Sequence, residues 1–527
     1  MDSAVARPVP TVQRRRWYIL AVLVVSLLVV VLDNTVLNVV LKTLADPKEG
    51  LGATQSQLEW SINSYTLVFA GMLFTFGVIG DRLGRKRVLL LGMVVFGLGS
   101  LLSAYAQTPT QLIWARALMG IGGAAIMPQT LSIITNVFEP EERGKAIAIW
   151  SSAVGLAIAI GPFTGGVLLA HFWWGSVFLI NVPIITAGVI AMAVLVPESR
   201  NPSPGRLDPG GVLISIIGLV SLSYGIIEGG ERASWLTAAV IGPVAVGVGA
   251  LAVFVWYEAR IDHPAFDVRL FRDPRLSVAV GVLALGFFAV AGVVFFVNFY
   301  MQSVRGLSPM EAGAMVLPFA VAQLIFAPRS ALMVRRFGAR VVCTAGMLLV
   351  TTALSGYQFL DETSPLWILG AIFFVQGAGM ANMMPTATES VMSVLPREKA
   401  GAGSAINNAA RQVAIALGVA VLGSVVSSLY RGSMSAELAA LPEGQRHLAG
   451  ESIAGTMAVA ERLGPAGQDL VGPAHAAFVD AMHIAAGGSA AVALLGALVV
   501  ARWLPGKSST DTAGETTPAA EREPARV

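Results

Sequence analysis

Two carboxylates and three guanidinium groups stand where charge is costly. Of the 32 acidic residues in this 527-residue sequence, only Asp33 and Glu389 fall well inside long apolar runs. Of the 35 basic residues, only Arg116, Arg329 and Arg411 do. A charge near the centre of a lipid-spanning helix costs on the order of 2.5–3.5 kcal/mol on insertion scales, and such residues usually serve a function. A carboxylate in an apolar cavity is suited to carrying a proton. Asp33 is the first candidate and Glu389 the second, with structural pairing to Arg116 or Arg411 as the competing role for each. Other chemistry is poorly supplied. His171, His263, His447, His475 and His483 show no metal-ligand spacing, so no metal site is expected. They lie in loops or near run ends, where no nucleophile and base cluster at one depth, which argues against a membrane-embedded enzyme. The lone Cys343 reads as a small hydrophobe. No Gly-x4-Gly-Lys-Ser/Thr loop is present, so direct ATP drive is excluded.

The elements that hold these charges must cross lipid. Apolar residues make up 55% and charged residues 13%, and the mean hydropathy is +0.71. A soluble domain carries about 25% charged residues. This balance excludes a soluble enzyme, a disordered chain, a disulfide scaffold and a nucleic-acid binder. Apolar runs of spanning length cover roughly 17–40, 57–79, 88–106, 110–137, 145–170, 176–196, 209–228, 235–257, 276–301, 309–333, 339–359, 364–394, 402–429 and 480–503. The first lacks a small-residue cleavage site and is read as a retained helix.

Basic residues assign the sides. With the N-terminus inside and strict alternation, 25 of the 35 fall inside, 7 outside and 3 at membrane depth. This asymmetry places both termini in the cytoplasm, and since an excess of Lys and Arg is expected on that side of a membrane protein, the net charge of +3 does not point to nucleic acid. The expected organisation is a cytoplasmic segment 1–16, a six-helix bundle 17–196, a linker with two extra helices 197–275, and a second bundle 276–503. An outside loop 431–478 interrupts the second bundle, and a disordered cytoplasmic tail 504–527 follows. Within the loop, Ile453, Met457, Ala460 and Leu463 recur at helical spacing and predict a short amphipathic element.

The two bundles echo each other. Gly120-Ile-Gly122-Gly-Ala-Ala-Ile-Met-Pro128 matches Gly377-Ala-Gly379-Met-Ala-Asn-Met-Met-Pro385, and Gly144 matches Gly401 at the same offset. Arg82-Leu83-Gly84 is echoed weakly by Arg336-Phe337-Gly338. Repeats flanking a midplane cavity are the architecture of secondary transporters.

The most specific string is Gly77-Val-Ile-Gly80-Asp81-Arg82-Leu83-Gly84-Arg85-Lys86-Arg87, in the inside loop after the second run. It resembles the signature loop of the major facilitator superfamily. Its glycines permit a tight turn and close helix approach, and Asp81 suits a helix N-terminus. The resemblance implies that this loop latches the two halves. Further strings extend it: Leu32-Asp33-Asn34-Thr35, Trp60-Ser-Ile-Asn63-Ser-Tyr65, Arg116-Ala-Leu-Met-Gly120, Trp174 to Pro183, Leu317-Pro318, and Asn407-Asn408-Ala-Ala-Arg411-Gln412. Together they resemble the fourteen-helix drug:proton antiporters, nearest to quaternary-ammonium and multidrug efflux pumps and actinobacterial antibiotic exporters. By resemblance, Arg116 takes part in proton coupling.

The fifth run carries Gly155 and then Gly161-Pro162-Phe-Thr-Gly165-Gly166. In lipid such residues are tolerated where another helix packs closely. By resemblance this string marks antiporting exporters and argues against a proton-coupled uptake symporter, the second reading. Cation-exporting relatives commonly carry further cavity acids; the matching positions here, Asn63, Gln323, Asn407, Asn408 and Gln412, are uncharged. With Trp60, Tyr65 and Arg411, the first four are the expected substrate cavity. If Asp33, Glu389, Arg116 and Arg411 share one depth, their formal charge sums to zero. Neutral or singly charged amphipathic drugs would then be favoured over dications.

The expectation is an all-α polytopic membrane protein of the major facilitator fold, with fourteen helices and no cofactor. It exports small hydrophobic drugs against protons as a monomer in the bacterial cytoplasmic membrane, with no nucleic-acid partner. The membrane potential supplies about 2.3 kcal/mol per charge per 100 mV, enough for roughly 50-fold accumulation.

Overall fold

The computed structural model describes residues 10–45, 50–53, 55–200, 208–231, 236–261, 268–396 and 400–504. The tail 505–527 and most of the N-terminal segment therefore lie outside the described residues. In lipid every backbone N–H and C=O must be satisfied within the chain, so long apolar segments become helices. Helices α1 (Pro10–Ala45), α2 (Gln55–Leu83), α3 (Arg85–Ala104), α4 (Pro109–Val137), α5 (Pro140–His171), α6 (Ser176–Leu179) and α7 (Asn181–Leu195) build the first bundle. A hairpin follows, α8 (Pro209–Glu231) and α9 (Ala238–Glu258). The second bundle contains α10 (Pro274–Phe299), α11 (Pro309–Ala314), α12 (Leu317–Phe337), α13 (Ala339–Gly356), α14 (Leu366–Val394), α15 (Ala400–Met434), α16 (Glu443–Glu451), α17 (Ile453–Leu463) and α18 (Gln468–Trp503). Among the described residues, thirteen segments are long and apolar enough to cross a membrane. Helix α5, at 32 residues, is a further long helix.

Short polar signals set the helix ends. Thr108 caps α4 by accepting from the Gln111 N–H, with Pro109 at the first helical position. Ser308 and Glu311 close a capping box at α11. The turns α2–α3 and α12–α13 pass through Gly84 at φ +116° and Gly338 at φ +85°, where a side chain would be strained. These are the two glycines of the weak repeat.

The repeat is also carried in the packing. A Cβ on Gly122 would lie 2.7 Å from the Gly92 carbonyl, and one on Gly379 would lie 2.8 Å from the Gly346 carbonyl. Thus α3 meets α4, and α13 meets α14, through the same small-residue contact. The bundles face each other along two seams, α2 against α15 and α5 against α12, with α4–α15 and α14–α5 contacts inside them. Helix α8 packs on both α2 and α15, where Val220 would meet a Cβ on Gly71 at 2.5 Å. Helix α9 packs on α8 and turns most of its surface outward; only Val240, Gly247 and Glu258 are buried.

The stretch between α15 and α18 is folded. The amphipathic element is α17, with Ile453 and Ala460 buried. Tyr430 and Thr456 share a hydrogen bond of 2.6 Å that ties α17 to α15. Helix α18 begins well before residue 480 because Leu470, Ala474, Ala477 and Phe478 form a buried face at helical spacing.

Candidate functional site

Asp33 on α1 and Arg116 on α4 form a buried ion pair. Arg116 is fully buried and Asp33 is 3% exposed. Asn181, the first residue of α7, donates to Asp33 Oδ1 at 3.1 Å and to Ser100 Oγ at 3.1 Å. Arg116 Nε donates to the Ser61 carbonyl at 3.2 Å, and its guanidinium lies 4.6 Å over the Tyr65 ring. Arg116 Nη2 has no hydrogen-bond partner among the described residues. One carboxylate is thus held by an arginine and an amide from two other helices of the same bundle. Asn181 and Ser100 were not among the sequence candidates. Asn181 lies in the Trp174 to Pro183 string of the family resemblance but was given no role there, and the only signal for Ser100 was a polar side chain inside an otherwise apolar stretch.

The expected grouping of four charges at one depth does not form. Glu389 lies near the C-terminal end of α14. A Cβ on Gly144, in the first turns of α5, would lie 2.5 Å from its carboxylate, and Arg143 is the charge that acts on it. The repeat makes α4 and α14 equivalent, and Arg116 lies near the N-terminal end of α4. At 1.5 Å per residue the two positions differ by about 24 Å along equivalent helices. Arg329 is exposed and donates to the Ile325 carbonyl at 2.5 Å, so it too lies outside the interior.

The amide candidates divide. Gln323 on α12 is buried, and its Oε1 has no partner among the described residues. Asn407 accepts from Thr388 Oγ1 at 3.3 Å, and Asn408 donates to the Ser404 carbonyl at 2.9 Å. Arg411 Nη2 donates to Asn408 Oδ1 at 3.0 Å. Asn63 is half-buried. Tyr65 is buried and stacks on Phe69 at 5.5 Å. Trp60 is 43% exposed and faces Tyr224 of α8 at 6.4 Å, away from the Asp33–Arg116 pair.

The signature loop joins the halves. Asp81 Oδ1 accepts from Arg85 Nε at 2.8 Å and from the backbone N–H of Gly401, at the start of α15, at 2.9 Å. A carboxylate here meets the positive end of the helix. A Cβ on Gly77 would lie 2.7 Å from the Gly401 carbonyl. Gly80 lies against the Gln129 side chain and Gly84 against Glu198. Glu198 accepts from the Lys86 N–H at 3.1 Å, and Lys86 Nζ donates to the Ala193 carbonyl at 2.8 Å. Arg82 is half-buried.

The α5 glycines point to different neighbours. Gly155 faces α12, where a Cβ would lie 2.6 Å from Gln323 Cγ, while Gly161 faces Thr35 of α1 and Gly166 approaches Met310 of α11. Gly165 is buried, and the Pro162 side chain lies outside the described residues. Overpacking a tight contact costs about 1–3 kcal/mol. Gly155→Val is therefore expected to wedge the α5–α12 seam and cut transport about tenfold, since about 1.4 kcal/mol is a factor of ten. Initial efflux rate of a fluorescent dye, normalised to protein in the membrane, checks this.

The chain can be placed among known proteins. Residues 23–419 match the sequence profile described as Major Facilitator Superfamily. The chain is 34% identical to the multidrug efflux pump LfrA of Mycolicibacterium smegmatis, over 92% of this chain and 96% of that one. It is 33% identical to the methyl viologen resistance protein SmvA of Salmonella typhimurium, over 93% and 98%. It is 32% identical to the tetracenomycin C resistance and export protein of Streptomyces glaucescens, over 80% and 78%. Among solved structures, the human organic anion transporter MFSD10 superposes with a TM-score of 0.63 at 16% identity, covering 93% of this chain and 99% of that one. Such a likeness speaks for the fold alone. With two repeat-related helical bundles, a glycine-lined latch between them and relatives matched along nearly their whole length, this chain belongs to the major facilitator superfamily, whose members are multi-pass membrane transporters and not enzymes.

Proposed function

We propose that this protein exports hydrophobic drugs or antibiotics across the cytoplasmic membrane in exchange for protons, as a monomer with fourteen membrane helices and both termini inside. The observation that carries the reading is the buried Asp33–Arg116 pair, completed by Asn181 and closed off within one bundle. Protonation of Asp33 removes its charge and releases Arg116 from its partner. The protein then exists in two electrostatic states that differ inside the first bundle. Rocking of the bundles about the α2–α15 and α5–α12 seams exposes the interior to either side in turn. Proton delivery from outside and release inside would bias that cycle toward export. Relatives of similar length are named as efflux pumps and export proteins, which supports the direction. Glu389, held against Arg143 and Gly144, is assigned to the cytoplasmic contact between halves rather than to proton carriage.

A susceptibility panel in a pump-deleted host, with and without a proton uncoupler, tests the reading. Expression should raise resistance to hydrophobic drugs, and the uncoupler should remove the gain. In inverted vesicles an exporter accumulates substrate on energisation; depletion would instead indicate an uptake symporter.

Topology is checked separately. Reporter fusions at the C-terminus and near Gly450 should report opposite compartments. The same compartment for both would overturn the fourteen-helix count.

A further inference from the structure

Among the described residues none of the buried acids Asp33, Asp81, Asp208 and Glu258 is ion-paired with Arg411, and this buried guanidinium is left over. Arg411 on α15 is 4% exposed and lies eleven helical residues into that 35-residue helix. Among the described residues, no carboxylate lies within ion-pair distance of it. Asp33 is held by Arg116 and Asn181. Asp81 is held by Arg85 and Gly401, Glu389 lies against Gly144, and Asp208 accepts from Gly211 and Tyr257 at the base of the hairpin.

The neighbours of Arg411 are soft and neutral. Its guanidinium carbon lies 5.6 Å over the Phe287 ring of α10. Nη2 donates to Asn408 Oδ1 at 3.0 Å and approaches the Met127 sulfur of α4 at 3.7 Å. Nη1 is buried and has no hydrogen-bond partner among the described residues. A ring beneath the guanidinium plane leaves the in-plane N–H groups for another acceptor. Met127 belongs to the first bundle and Arg411 to the second, so the group stands at the surface the two halves share.

A cation removed from water without a counter-ion is costly to keep, and a charge at this depth in a membrane protein marks a substrate or ion path by default. We propose that Arg411 anchors an anionic group of the exported molecule, a carboxylate, sulfonate or ionised phenol on an otherwise apolar body. This rests on the export reading above and narrows its substrate class. The fork of the guanidinium suits such groups by paired hydrogen bonds. The Asp33–Arg116 pair contributes no net charge, and Glu389, which follows Thr388 and so lies about one to two helical turns from Arg411 in depth, is held at Gly144 and Arg143 and makes no ion pair with Arg411. The interior at Arg411 therefore carries one uncompensated positive charge, which disfavours dications more strongly than a balanced set would.

The test uses the full-length protein in energised inverted vesicles, with 8-anilino-1-naphthalenesulfonate as the anionic probe and ethidium as a monocation. Parent, Arg411→Gln, Arg411→Lys and Phe287→Leu are compared at equal membrane levels. The ratio of kcat/KM for the sulfonate to that for ethidium should fall about tenfold or more in Arg411→Gln and less in Arg411→Lys, which keeps the charge without the fork. A rise in the sulfonate KM should account for the change. If Arg411→Gln depresses both probes equally, Arg411 is a packing or coupling residue and the proposal fails. If the parent exports ethidium but never the sulfonate, the anion proposal fails while export stands. If neither probe moves and the drug panel also shows no uncoupler-sensitive resistance, the export reading itself falls. If Arg411→Gln does not reach the membrane, the ratios for Arg411→Lys and Phe287→Leu decide, and unchanged ratios in both overturn the assignment.

Discussion

Asp33→Asn is expected to reduce efflux to the background of a host lacking the pump, at any proton gradient. The substitution leaves shape almost unchanged and removes the only group at the pair that can gain and lose a proton. It also leaves Arg116 fully buried beside a neutral amide. Breaking a buried pair on one side costs about 3–5 kcal/mol, because the remaining charge is uncompensated. Part of any loss could therefore come from less protein in the membrane. The double variant Asp33→Asn/Arg116→Gln separates the two causes. With both charges removed it should recover membrane level relative to either single variant, yet still fail to exchange protons. Substrate-induced proton movement in proteoliposomes is the measurement. Normal exchange in Asp33→Asn would move the proton site elsewhere.

Gly401→Val is expected to abolish transport by a different route. A Cβ on Gly401 would press into the Gly77 carbonyl and the Asp81 carboxylate of α2. The backbone hydrogen bond from Gly401 to Asp81, 2.9 Å long, would be lost as α15 moves away. On the proposed topology these are the cytoplasmic ends of α2 and α15, which could then not close, and the protein would rest open to the inside. Ala405→Cys in a Cys343→Ser background reports this directly. Ala405 is fully buried at the same contact, where a Cβ on Gly77 would lie 2.8 Å from its own. Labelling from the cytoplasmic side should be slow in the parent and at least about fivefold faster with Gly401→Val, as expected for about 1–3 kcal/mol of overpacking placed on the closed state. Equal labelling rates would show that the contact does not control closure.

That the loop joins the two halves was implied by its family resemblance; the residues alone offered only local chemistry: glycines where helices touch, an acid for a helix N-terminus and a basic turn. The repeat was legible, since Gly122 and Gly379 serve the same contact in both bundles. Depth was not. Glu389 falls inside an apolar run, but α14 has 29 residues, about 43 Å at 1.5 Å per residue. The hydrocarbon layer is only about 30 Å thick. A helix that long overshoots, and an acid near its end is placed against the start of a neighbouring helix. Facing was not legible either. Helices that are apolar nearly all round give no pattern to say that Trp60 turns toward α8 while Tyr65, little more than a turn later, lies beneath Arg116. Nor does a sequence say which acid a given arginine meets. The pairing of Arg116 with Asp33, and the absence of such a partner for Arg411 among the described residues, arise from three-dimensional packing alone.

The extra hairpin breaks the symmetry that the repeat imposes. Helix α8 lies across the α2–α15 seam and touches both of its walls, with α9 outside it. Among the described residues the equivalent seam between α5 and α12 has no such cover, and Phe163 and Val167 of α5 and Val321, Leu324 and Ile325 of α12 are exposed. One flank is thus a junction covered by a helix and the other, among the described residues, a bare one. The two flanks presented to the bilayer are therefore unlike, and Gly155 of α5 faces α12 at the uncovered one.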